Sequence, residues 1–136
     1  MAITRIGFNG LGIMGRPMAL NLQRAGHELA VYARRAESMQ PLIETGARCC
    51  ASPAEAAGQT DVIFTMVSDT QDVEAVILGP GGIIEGVRPG SVVVDMSTIS
   101  PTATRAIAAE LAERGVEMLD APVSGGQAGA ENGQLS

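Results

Sequence analysis

The 136-residue sequence contains no lysine and no tryptophan, one histidine, three other aromatic residues and two cysteines. Each shortage excludes something. Without lysine, positive charge rests on nine arginines: Arg5, Arg16, Arg24, Arg34, Arg35, Arg48, Arg88, Arg105 and Arg114. A guanidinium does not readily cycle a proton near neutral pH, so the chain has no basic side chain suited to amine-type acid/base work. Phe8, Tyr32 and Phe64 are too few for a stacking platform, and a net charge of −6 leaves no basic stripe, so no nucleic-acid partner is expected. Cys49 and Cys50 are adjacent, which disfavours a disulfide between them and, with only His27 to help, gives no metal-ligand spacing. Ordinary packing is expected of both, and no metal. No apolar run approaches the ~20 residues that span a bilayer, so no membrane partner is expected either.

What is present points to one folded unit, residues 1–136. A 46% hydrophobic fraction argues against disorder, and a chain of this size buries roughly 68% of its unfolded surface. A strand pattern already running at Ile3 leaves no room for a signal peptide or Arg-rich presequence, and a cytoplasmic address is expected. Short β-branched runs alternate with longer Ala/Leu/Glu/Arg-rich segments, the pattern of βαβ units. Strands are expected near residues 5–8, 28–32, 47–49, 62–66, 92–95 and 117–119, and helices near 13–25, 39–45, 53–57, 72–78 and 102–114. The fourth and fifth strands are apolar almost throughout, as central parallel strands covered on both faces should be. The fold class is therefore α/β: a doubly wound, Rossmann-type parallel sheet, in the order 3-2-1-4-5-6 if it follows the dinucleotide-binding form. Gly26, Gly46 and Gly115 supply helix stops. Beyond Ala121 the chain turns rich in Gly, Ala and Gln. Asn132-Gly-Gln-Leu-Ser136 reads as a turn and the first residues of another strand, so the end resembles a truncation.

Gly10-Leu11-Gly12-Ile13-Met14-Gly15 matches G-x-G-x-x-G between the first strand and the first helix, a context that makes the motif specific. Gly10 permits the tight turn, Gly12 lets backbone approach a pyrophosphate, and Gly15 allows close helix–strand packing. Free amides at the helix start would bind the anion. Pro17 suits the first turn, and the stripe Met14, Met18 and Leu22 reads as core. About 20 residues on, where an acid would bind an adenosine ribose, the chain reads Tyr32-Ala-Arg-Arg35. Arg34 then favours a 2′-phosphate, so NADP is expected, with NAD the alternative. The competing reading leaves both arginines solvated, with Glu37 pairing one.

Three motifs carry a resemblance that covers the whole chain: Gly7-Phe-Asn-Gly-Leu-Gly-Ile-Met-Gly-Arg-Pro-Met-Ala19, Asp95-Met-Ser-Thr-Ile-Ser-Pro101 and Asp120-Ala-Pro-Val-Ser-Gly-Gly126. The sequence resembles the β-hydroxyacid dehydrogenase family, which includes 3-hydroxyisobutyrate dehydrogenases and tartronate semialdehyde (2-hydroxy-3-oxopropionate) reductases. It departs from that pattern at Asn9, where an aliphatic residue is usual. The resemblance implies that Val67, Ser68 and Asp72 border the cofactor after the fourth strand and that Thr98 sits beside the nicotinamide. It also implies that Ser124, Gly125 and Gly126 bind a small carboxylate substrate, against the plainer reading of a turn after the sixth strand. The family's acid/base lysine and its nearby Asn belong to a C-terminal helical domain beyond Ser136, so no catalytic residue is assigned in this chain. His27, in a turn at the opposite end of the sheet, is no replacement.

The expected function is thus the NAD(P)-binding domain of an oxidoreductase that moves hydride between nicotinamide and a small β-hydroxy acid or its semialdehyde. This chain alone is expected to be inactive, and a homo-oligomeric parent is compatible with it. The alternative is a non-enzymatic NADP-binding module or sensor.

Overall fold

The computed structural model describes residues 5–136; the expected strand start at Ile3 lies outside the described residues. Six strands, β1 (Arg5–Asn9), β2 (Glu28–Tyr32), β3 (Arg48–Cys49), β4 (Val62–Thr65), β5 (Val92–Asp95) and β6 (Glu117–Asp120), form one parallel sheet in the order β3-β2-β1-β4-β5-β6. Alternation along the strands divides the core between two faces. Phe8, Phe64 and Val94 are register partners on one face, where the two rings stack at 5.9 Å. Gly7, Ile63 and Val93 are partners on the other.

Helices cover both faces. On the first, α1 (Gly15–Arg24) and α2 (Gln40–Glu44) bring Ala19 and Leu42 to Ile6, Phe8 and Val31. On the second, α4 (Thr70–Leu78), α5 (Ile83–Gly86) and α6 (Pro101–Ala112) bring Val73, Ile77, Ile83, Ile107 and Leu111 to Ile63 and Val93. Each large apolar side chain so buried contributes about 1.5–3 kcal/mol. Local signals start several helices. Ser52 accepts from the Glu55 amide at 3.1 Å to cap α3 (Pro53–Gly58), while Glu55 reaches back to the Ala51 amide at 2.9 Å. Asp69 accepts from the Asp72 amide at 2.9 Å to cap α4.

Several expectations need correction. The first helix starts at Gly15 rather than 13, because residues 12–14 form the turn of the glycine loop, and α4 starts at Thr70 rather than 72, because Asp69 caps it ahead of the apolar periodicity. A 3₁₀ turn, Ala36–Met39, precedes α2, and α5 was not foreseen in the Gly-rich stretch after Leu78. Gly126–Asn132 is a further helix, α7, held to α1 by the Asn21 side-chain amide, which donates to the Ala130 carbonyl at 2.7 Å. Gln134–Ser136 begins no new strand; the Ser136 amide and carbonyl exchange hydrogen bonds of 2.9 and 2.8 Å with Ser124. The helix-stop glycines hold, with φ of 100° at Gly26, 105° at Gly46 and 74° at Gly115. Cys50 is buried as expected, but Cys49 is exposed, its sulfur 3.3 Å from that of Met39. No helix among the described residues is long and apolar enough to cross a membrane.

Candidate dinucleotide site

The strands of a parallel sheet all end on one side, and loops leaving β1, β2, β4 and β5 enclose a cleft of about 640 Å³ there. The β1 loop is shaped by its glycines. Gly10 has φ of 98°, and a Cβ on it would strike the Met66 carbonyl; a Cβ on Gly15 would strike the Gly10 carbonyl. Gly12 differs, because a Cβ there would meet nothing within 4 Å. Gly10 and Gly15 are thus required by the protein's own packing, whereas Gly12 leaves open space above the backbone. The amides of residues 11–15 donate to no carbonyl or side chain among the described residues, while the Arg16 amide already bonds the Gly12 carbonyl at 3.0 Å. Unpaired donors at the start of a ten-residue helix, with open space over Gly12, fit a pyrophosphate.

Leu11, Ile13 and Met14 also line the cleft, so the Met14–Met18–Leu22 stripe divides: Met18 and Leu22 pack into the core, and Met14 faces the cleft. From β2 come Tyr32, Ala33, Arg34 and Arg35. Arg34 is not unpartnered; its Nη2 donates to Asp72 Oδ1 at 3.1 Å, and Arg35 pairs with Glu37 at 3.4 Å. Val67, Ser68 and Asp72 line the β4 side, and Thr98 the β5 side. All eleven residues expected at the cofactor therefore meet in one cleft. Ser38, Met66 and Val76 line it as well and were missed. Ser38 had a usable signal, a hydroxyl four residues beyond Arg34; Met66 and Val76 read as ordinary core.

Ser124, Gly125 and Gly126 are exposed and do not line this cleft. Gly125 precedes α7 and Gly126 opens it, which replaces the simple turn of the plainer reading. A second cleft, of about 730 Å³, lies at the amino ends of the strands and includes His27, Arg5 and Arg88. His27 is thus on the far side of the sheet from the glycine loop, as expected. Among the described residues, no three His, Cys, Asp or Glu side chains gather as metal ligands.

A strand–glycine turn–helix unit at the switch point of a doubly wound sheet defines a dinucleotide-binding domain of the Rossmann type. Residues 5–136 match the family model described as the NAD binding domain of 6-phosphogluconate dehydrogenase, and the chain belongs to that family. It is 41% identical to 2-(hydroxymethyl)glutarate dehydrogenase of Eubacterium barkeri, over 97% of this chain and 44% of that protein. The solved 3-hydroxyisobutyrate dehydrogenase of Mycobacterium tuberculosis with L-serine matches with a TM-score of 0.91 at 34% identity, over 98% of this chain and 45% of that one. A structure named Psf3, in complex with NADP+ and 2-OPP, matches with a TM-score of 0.89 at 30% identity, over 96% and 46%. These relatives bear out the hydroxyacid dehydrogenase resemblance. The chain spans a little under half the length of each.

Proposed function

We propose that residues 1–136 form the NADP-binding domain of an oxidoreductase acting on a small β-hydroxy acid or its semialdehyde. The observation that carries this reading is the open space over Gly12 beside unpaired helix-start amides, in a cleft that also contains Arg34. The Gly10–Gly15 backbone would hold the pyrophosphate, Arg34 the 2′-phosphate, and Val67, Ser68 and Thr98 the nicotinamide end. Bound nicotinamide supplies or accepts the hydride. Leu11, nearly fully buried, and Val67 help shield the cleft from water. Ser124 and the Gly125 and Gly126 amides would receive a substrate carboxylate once the remainder of such an enzyme closes over β6; hydroxyl and amide donors suit a small anion.

By the family resemblance the proton donor for the substrate oxygen would be a lysine, whereas the basic side chains of residues 1–136 are nine arginines and one histidine on the far side of the sheet. A positioned acid/base contributes typically 10²–10⁴ in rate. The chain alone should therefore show negligible NADPH oxidation with tartronate semialdehyde or methylmalonate semialdehyde. Turnover near that of an intact dehydrogenase would overturn this assignment. The second reading is a non-enzymatic NADP-binding module, for which a cleft that holds the dinucleotide is enough. A gene that continues past Ser136 into a lysine-containing helical domain supports the enzyme; a stop there supports the module.

A further inference from the structure

A polar row crosses the carboxyl ends of the strands, on the side of the sheet where the cleft lies. Asn9, Thr65, Asp95 and Asp120 are successive register partners on β1, β4, β5 and β6, so their side chains share one face. The first three are fully buried. The Thr65 hydroxyl donates to Asp95 Oδ1 at 2.8 Å, and the Ser97 amide donates to the same oxygen at 3.1 Å. Ser97, itself buried, accepts the Val67 amide at Oγ, at 2.9 Å. Asp95 is thus the anchor of a chain of bonds joining the loop after β5 to the loop after β4. Those loops carry Thr98 on one side and Val67 and Ser68 on the other, all three in the cleft.

Stability alone does not account for this carboxyl group. Its Oδ2 is buried without a partner among the described residues, as is Asn9 Oδ1. A buried polar oxygen left unsatisfied costs more than an ordinary hydrogen bond returns, and an apolar residue would fill the same space without that cost. An apolar residue could not hold the Ser97 amide, however, or through Ser97 the Val67 amide.

We propose that Asp95 and Ser97 are positioning residues that set the nicotinamide end of the cleft, a claim that rests on the cofactor reading above. The adenosine end, built on the glycine loop and Arg34, shares no side-chain hydrogen bond with either residue. Disturbing the network therefore weakens a ligand that reaches across the cleft and spares one that stops at the adenosine.

The test titrates the 136-residue chain with NADPH and, separately, with 2′,5′-ADP, which carries the adenosine end alone. Ser97→Ala and Asp95→Ala should raise the Kd for NADPH about five- to tenfold and change that for 2′,5′-ADP by less than about twofold. Asp95→Asn, whose side-chain oxygen can accept the same two bonds, should restore NADPH binding. Where Asp95→Ala fails to fold, Ser97→Ala and Asp95→Asn carry the test. Equal weakening of both ligands by Ser97→Ala, no weakening of either, or no rescue by Asp95→Asn overturns the proposal. Failure of the unmodified chain to bind either ligand is a different result, which removes the cofactor reading and this inference with it.

Discussion

Arg34 Nη2 and Asp72 Oδ1 lie 3.1 Å apart, joining the turn after β2 to the first turn of α4 across the mouth of the cleft. The arginine side chain is 77% exposed and the aspartate 27%, so this is a solvent-screened ion pair worth ~0–1 kcal/mol. A charge-assisted bond from arginine to a phosphate is worth about 1.5–3 kcal/mol, and the phosphate should therefore win the guanidinium. Arg34→Ala should reduce the preference for NADPH over NADH by about 10- to 100-fold in competition titrations. Asp72→Asn should strengthen NADPH binding, because it frees the guanidinium and removes a carboxylate facing the phosphate. Equal losses for both cofactors in Arg34→Ala would assign the arginine a structural role.

The glycines of the loop should separate into two kinds. Gly12→Ala should leave unfolding stability within about 0.5 kcal/mol of the parent, since the new methyl meets nothing, and should still weaken dinucleotide binding. Gly10→Ala forces a side chain onto a φ of 98° and against the Met66 carbonyl, and should cost more than about 1 kcal/mol. Thermal denaturation beside NADPH titration checks both. A Gly12→Ala variant that binds normally would remove the open space from the account.

Cys50 makes a pH-dependent contribution. Burial first, then Glu55 and Cys49, push its thiol from 9.0 up to about 11 against a smaller opposing effect of Arg48. The folded value lies above the unfolded one, so this stabilisation is complete below pH 9.0 and is lost as pH rises through about 11. Denaturant midpoints should fall across that window, and Cys50→Ala should remove this part of the fall. At neutral pH a thiol reagent should modify the exposed Cys49 rapidly and Cys50 only on unfolding. Equal rates for the two would contradict the burial of Cys50.

Of the two outer strands, β3 and β6, the second invites association. β6 pairs only with β5 among the described strands, and Leu119 on it is 57% exposed. An unpaired edge beside an exposed apolar side chain favours self-contact. Light scattering should show mass rising with concentration, and Leu119→Glu should suppress the rise. A strictly monomeric parent chain would contradict the expectation.

The legible parts of the molecule are those whose causes lie close together in sequence. Val92–Asp95 and Val62–Thr65 read as central strands because nearly every side chain in them is apolar, and the glycine loop read as a ligand turn because a strand precedes it and a helix follows. The helix Gly126–Asn132 did not read as one. Its sequence is Gly-Gln-Ala-Gly-Ala-Glu-Asn, with no large apolar residue to show a period, its N-cap is Gly125 without a side-chain cap, and Asn21, 109 positions away from Ala130, helps to hold it. The Arg34–Asp72 pair was hidden for the same reason: 38 positions separate two residues that had each been assigned to the cofactor independently. Four-residue α5 is too short to show periodicity at all.

The most direct test of the cofactor site is calorimetric titration of the 136-residue chain with NADPH and with NADH. One NADPH should bind per chain, with NADH weaker by about tenfold or more for want of the phosphate at Arg34. Absence of binding by either cofactor at millimolar concentration would contradict it.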